Sequence, residues 1–269
     1  MLLDWILVGI CSLGIAGAAW ATVTSQIVGG IVPFVYFVVS KSSILKLTGT
    51  KFEVKVIAKT CGNGVSEFLS NVSASIVGFL YNLQLMRYVG ENGVSAYGVI
   101  MYVSFVFVAI YIGYSMGVAP IIGFNYGSGN KSELQNIFRK SVGILTITNI
   151  LMFVLAESLT VPMAKIFGGY NKTLNEITIR GMIIYSIAFL VIGFNIFASA
   201  FFTALSNGRV SAILSVTRTL ILQLIMTYLL PMLLDVDGLW AVVIAVEGIS
   251  LIVTIYYILK NRKNYGYMK

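Results

Sequence analysis

Long apolar runs separated by short basic stretches recur along this chain and leave few folds open to it. A bilayer-crossing helix needs about 20 mostly apolar residues. On that criterion spans fall near 15–40, 63–89, 94–124, 142–166, 177–205, 211–234 and 238–260. Only 10% of the 269 residues are charged, where a soluble domain carries about a quarter. The expectation is an all-α integral membrane protein, a polytopic bundle of about seven transmembrane helices. Residues 1–12 are too short to span, carry Asp4 and lack the basic start of a secretory leader. The chain has no His, which excludes chemistry that depends on imidazole, and the reading is not that of an enzyme. Cys11 and Cys61 are expected near opposite ends of neighbouring spans, about 30 Å apart, too far for a disulfide.

The net charge of +8 is distributed between spans, not along one face, so it points to membrane orientation and not to nucleic acid. Lys41, Lys46, Lys51, Lys55 and Lys59 follow the first span, and Lys131, Arg139 and Lys140 follow the third. Arg209 and Arg218 flank the turn between the fifth and sixth, and Lys260, Arg262, Lys263 and Lys269 close the chain. The intervening loops hold only Arg87, Lys165, Lys172 and Arg180. Positive charge accumulates in cytoplasmic loops. The expectation is therefore a multi-pass protein of the cell membrane, with the lipid bilayer as its first partner and a cytoplasmic C-terminus.

Two stretches echo each other at an offset of 221 residues: Gly17 to Gln26 and Gly238 to Glu247. A Leu-Leu-Asp precedes each, at 2–4 and at 233–235. Both spans run in the same direction, as in repeats related by an axis along the membrane normal. The repeat unit would then be six helices.

Several motifs resemble catalytic ones without their context. Gly113-Tyr114-Ser115-Met116-Gly117 fits G-x-S-x-G but lies inside an apolar helix of a chain without His. Gly113 and Gly117 read better as a small-residue packing face, and with Pro120 they make that helix bendable. Gly127-Ser128-Gly129-Asn130-Lys131 lacks the spacing of a phosphate loop and reads as a turn.

An acid inside a span needs a reason. Glu67 shares a helix face with Ser70, Asn71, Ala74, Gly78, Tyr81 and Asn82, all within about 60° of it. That polar, small-residue stripe suits a wet cavity, where the carboxylate would take a proton, Na⁺ or a cationic substrate; a helix–helix hydrogen bond is the plainer alternative. Glu157 and Glu247 are further cation-binding candidates, although Glu247 replaces Gln26 of the echo, which favours a structural role. Arg218 is expected to snorkel or to pair with an acid. Asn195, Ser199 and Thr203, spaced i, i+4, i+8, form a second polar stripe, facing a cavity or linking helices. Tyr, Phe and Met beside an acid would suit small amphiphilic organic cations.

The chain resembles the multidrug and toxic-compound extrusion (MATE) family, in its bacterial drug-efflux branch. The resemblance rests on GIAGAAWATVTSQ at 14–26, GNGVSEFLSNVSASIVGFLYNLQL at 62–85, and the stretch from 90 to 130 ending GFNYGSGN. FGGYNKTL at 167–174, the stretch 194–223 and LLDVDGLWAVVIAVE at 233–247 extend it. It implies twelve helices in two six-helix lobes and export of cationic drugs in exchange for H⁺ or Na⁺, with no cofactor and no metal. On that template 1–40 ends the first lobe and carries helix 6, and 41–60 is the basic interlobe loop. Residues 61–260 form the second lobe, and 261–269 a cytoplasmic tail. The chain then reads as N-terminally truncated, a fragment inactive alone whose missing partner is the first lobe. Glu67 matches an acid used on the family's seventh helix, whereas the span 177–205 lacks the acid of the tenth. A flippase for lipid-linked saccharides shares the architecture, but should put more cations than Arg218 inside its spans. A seven-helix receptor lacks its D-R-Y and N-P-x-x-Y motifs here.

Overall fold

The computed structural model describes residues 3, 5–39, 53–169 and 171–268. The side chains of residues 56, 58–67, 69 and 70 also lie outside the description, and with them Cys61 and the carboxylate of Glu67. Regular structure among the described residues is helical. The chain divides into two compact units, Met1–Ile57 and Ala58–Lys269.

In the first unit a π-helical turn, Trp5–Ile10, leads into α1, Gly14–Val39. Positive φ at Ser12 (52°) and Gly14 (53°) turns the chain back on itself. Gly17 consequently lies so near Leu7 that a Cβ there would come within 2.8 Å of the Leu7 carbonyl oxygen. Only Gly17 and Ala21 of α1 are buried, while Ile15, Ile27, Ile31 and Phe34 are exposed. A helix apolar on all sides is at home in lipid.

The second unit holds α2 (Val54–Tyr88, entered from the first), α3 (Glu91–Gly127), α4 (Lys131–Gly168), α5 (Lys172–Ser186) and α6 (Phe189–Ala204). There follow α7 (Gly208–Val216), a π-helical turn (Thr217–Leu222) and α8 (Gln223–Tyr265). Three asparagines set helix starts: the Oδ1 atoms of Asn130, Asn171 and Asn207 accept from the backbone N–H of Glu133, Leu174 and Val210. Each satisfies a donor that the first helical turn leaves unpaired.

Among the described residues four stretches are long and apolar enough to cross a membrane: α1, α3, α4 and Gly208–Tyr265. The pair α5 and α6, bent by 52°, makes a fifth. The expected spans at 211–234 and 238–260 are the two arms of the last stretch. Asp235 (φ 49°, ψ −129°) breaks α8 between them, and the second arm folds back on the first. At Gly238 a Cβ would stand 2.2 Å from the Leu230 carbonyl oxygen. The sequence echo therefore has a structural counterpart, since Gly17 and Gly238 both press against a backbone carbonyl of the segment before the turn.

Packing of α3 and α4 against α5 and α6, with α8 against both of the latter, builds the core. Tyr81, Ile100, Tyr111, Phe189, Phe202 and Trp240 are fully enclosed in it. At one end of the unit Asn171 donates to Asn92 Oδ1 (3.2 Å), and Arg180 pairs with Asp237 (2.5 Å). At the other, Gln135 donates to the Gly266 carbonyl (2.8 Å) and the Tyr267 hydroxyl to that of Ile258 (2.6 Å). Loops expected on the same side of the membrane thus meet. Tyr267, in the expected tail, is not free: it packs on Phe138 and Phe201, and burial pushes its phenol well above the usual range.

Candidate functional site

The bend between α5 and α6 brings polar groups of four elements into the apolar interior. Its approach to α3 and α4 depends on Gly193, where a Cβ would lie 2.3 Å from Asn149 Oδ1 and 2.7 Å from the Tyr111 ring. Asn149 uses this room to donate to the Leu190 carbonyl (3.0 Å), and Tyr111 donates to that of Phe189 (3.2 Å). Gly193→Ala is expected to overpack this contact and cost about 2 kcal/mol, measured as a lower unfolding temperature of the purified chain in detergent.

Beyond Gly193, Asn195 sits at the centre of a buried polar knot. Its Nδ2 donates to Glu247 Oε2 (2.7 Å) and to the Glu247 carbonyl (3.0 Å), while its Oδ1 accepts from Thr254 (3.0 Å). Arg218 Nη1 lies 3.6 Å from Glu247 Oε1, an ion-pair distance too long for a hydrogen bond. The Tyr185 phenol is within electrostatic reach of both charges. Arg218 projects from the π-helical turn at Thr217–Leu222, and such irregular turns concentrate at functional positions. The atoms that Asn195 and Arg218 turn toward Glu247, Nδ2 and Nη1, are both donors.

Glu157 lies in a different setting. Its Oε1 is 2.5 Å from the hydroxyl of Ser186, the last residue of α5, and that hydroxyl is also 2.8 Å from the Ile183 carbonyl. Among the described residues no cation lies within ion-pair distance of Glu157, including Lys165.

On α2 the expected stripe divides. Tyr81 turns inward with Ser73, Val77, Gln84 and Leu85, and donates to the Leu239 carbonyl. Asn71, Ala74 and Asn82 face away from the core, the last donating to the Gly78 carbonyl within its own helix (3.0 Å). Glu67 belongs to this helix, but its carboxylate lies outside the described residues. The structure thus brings together Asn195, Glu247 and Arg218, and leaves Glu157, Asn71 and Asn82 apart from them.

Three further expectations concern how the helices meet and bend. Among the described residues nothing stands within 4 Å of a Cβ at Gly113 or Gly117, so no described neighbour packs on that small-residue face. The buried side of α3 at that level is Tyr111 and Ser115. α3 continues through Pro120 to Gly127, and the breaks among the described residues fall at α5/α6 and Asp235. Of the two readings held for the Asn195 stripe, the contacts are those of a helix link: Ser199 is 3.0 Å from Ser211 and 2.7 Å from Ser215, and Thr203 is 2.7 Å from Ser211. Thr254, Ser211, Ser215 and Ser186 were not picked out from the sequence. Thr254, seven residues after Glu247 and so on its face, was readable there. A cavity of about 240 Å³ beside Phe138, Tyr267 and Met268 is aromatic but carries Arg139, not an acid.

Comparison with known proteins agrees with this architecture. "Multidrug export protein MepA" of Staphylococcus saprophyticus is 23% identical, the match covering 97% of this chain and 58% of that protein. MepA of Staphylococcus aureus strain MRSA252 is 20% identical over the same shares. Among solved structures, a MATE protein in complex with MaL6 superposes with a TM-score of 0.84 at 20% identity, covering 98% of this chain and 59% of that one. An outward-facing multidrug resistance MATE family transporter of the MOP superfamily gives 0.82 at 22%, covering 98% and 59%. The chain therefore spans somewhat over half the length of these relatives. The MatE family model matches residues 68–229, from the outward face of α2 through the polar knot of α6 to the first arm of α8. That match covers more than half of the sequence, and the chain belongs to the MatE family.

Proposed function

We propose that this chain is the second lobe, with the end of the first, of a secondary transporter that exports organic cations and drugs in exchange for H⁺ or Na⁺. The observation that carries the reading is the solvent-exposed small and polar face of α2, Asn71, Ala74 and Asn82, on a helix that also holds Glu67. A first lobe opposite that face would close a wet cavity around it, and rocking of the two lobes would alternate its access. In this assignment 1–40 closes the first lobe, 41–60 links the lobes, 61–260 forms the second and 261–269 ends on the cytoplasmic side of the cell membrane. No cofactor and no covalent chemistry enter. The flippase alternative loses support because Arg218, the cation it would use for phosphate, is committed to Glu247.

Vesicles containing only these 269 residues are expected to show no ethidium efflux under a proton or sodium gradient. Efflux from them would overturn the two-lobe reading. In a protein completed with a first lobe, Glu67→Gln is expected to lower gradient-driven efflux at least tenfold; unchanged efflux and unchanged ion dependence would remove Glu67 from the mechanism.

A further inference from the structure

The two described in-span carboxylates differ in one countable respect. Glu247 meets Asn195 Nδ2 and the Arg218 guanidinium, which have protons to give and no lone pair to offer. Glu157 meets the Ser186 hydroxyl, which gives one proton and accepts another. That single hydroxyl proton has two acceptors in reach, Glu157 Oε1 at 2.5 Å and the Ile183 carbonyl at 2.8 Å. With a protonated Glu157 both contacts are satisfied, the carboxyl donating to Ser186 and Ser186 to Ile183. With an ionised Glu157 the hydroxyl must choose. Ser186 is fully buried, so the acceptor it abandons finds no water there.

The choice falls at a mechanically sensitive place. Ser186 ends α5 directly before the 52° bend, where Ala188 N–H reaches back to Tyr185 and Leu190 N–H to Ile187 in tighter three-residue turns. Glu157 itself is half-buried and in contact with the outside of the lobe. On the elements packed against α4, Tyr111 of α3 is engaged with Phe189, and Tyr114 of α3 with Ser141. On α5, Arg180 is held by Asp237 and Tyr185 lies near Glu247 and Arg218, while Lys172 and Glu176 belong to its first two turns. No residue of α6 is titratable, and Lys165 lies two turns further along α4.

We propose that Glu157 and Ser186 form a proton-exchange site that sets the hydrogen bonding of the α5/α6 bend. This site, not the Glu247–Arg218 pair, is where the lobe takes up a coupling proton. The inference rests on the reading of the chain as part of an ion-coupled exporter. On release the Glu157 O–H bond breaks and its proton passes to water at the exposed side of the carboxyl. The Ser186 O–H then turns from the Ile183 carbonyl to the carboxylate. Uptake reverses both steps, and nothing is oxidised or reduced.

The test needs no transport. The purified chain in lipid vesicles is titrated from about pH 5 to about pH 9. The infrared carboxylic-acid band is followed together with amide hydrogen exchange at 186–192, corrected for intrinsic base catalysis. The wild type minus Glu157→Gln difference should contain an acid band that fades as pH rises, and Glu247→Gln should leave that band in place. Exchange at 186–192 should change at least tenfold with the same midpoint. In Glu157→Gln, which keeps a donor toward Ser186, it should stay at its low-pH value throughout. In Ser186→Ala the band should still titrate, with exchange no longer following it. A difference spectrum without a titrating acid band overturns the proposal, and so does exchange whose pH dependence survives in Glu157→Gln. Either failure leaves drug export intact as a reading, and loss of export would leave these titrations standing.

Discussion

Replacing Arg218 by methionine is expected to cost the lobe about 3 kcal/mol, whereas the same change combined with Glu247→Gln should cost under about 1 kcal/mol. The asymmetry follows from what each variant leaves behind. Arg218→Met removes the only cation within ion-pair distance of Glu247 among the described residues and strands a carboxylate that is 7% exposed. Breaking one side of a buried pair is far more costly than replacing both sides with neutral groups of similar volume. The double variant removes the charge as well, and the Gln carbonyl still accepts from Asn195 Nδ2, which now reaches Glu247 Oε2 at 2.7 Å. Thermal unfolding of the four proteins in one detergent closes the cycle. Additive costs, with the double variant worse than Arg218→Met alone, would mean that the two side chains do not interact.

The helices and their breaks were legible for different reasons. Each expected span corresponds to helix because long apolar runs have no other solution in lipid, and the turn at 233–238 was readable from its acids and glycine. The Arg218–Glu247 pair was legible in kind but not in partner. An in-span Arg must snorkel or pair, and only the fold-back at Asp235 decides that its partner is Glu247. Gly113 and Gly117 meet no described neighbour, because small-residue spacing marks a surface that permits close approach without saying that a neighbour is there. Ser186 was invisible for the opposite reason. A serine in an apolar helix usually bonds its own backbone, and its second partner is 29 residues away on α4. Periodicity places residues on a face; it does not say which face of another helix is opposite.

The fold-back itself offers the severest single change. Gly238→Ala is expected to destabilise the lobe by more than about 3 kcal/mol. The added Cβ would lie 2.2 Å from the Leu230 carbonyl oxygen, 2.5 Å from its carbon and 2.9 Å from the Pro231 nitrogen. All three are backbone atoms of the first arm, so no rotamer change relieves the contact. The arms must separate, and Trp240, two residues on and fully enclosed, loses its seat against Gly181. Gly248→Ala in the same second arm meets nothing within 4 Å and supplies the control. There alanine should be neutral or stabilise by up to about 1 kcal/mol through helix propensity. With Trp5 and Trp20 changed to Phe, Trp240 becomes the sole fluorophore of its kind. Its acrylamide quenching should rise several-fold in Gly238→Ala and stay unchanged in Gly248→Ala. Equal stability and equal quenching in the two variants would show that the second arm does not press on the Leu230 carbonyl, and the hairpin at Asp235 would have to be redrawn.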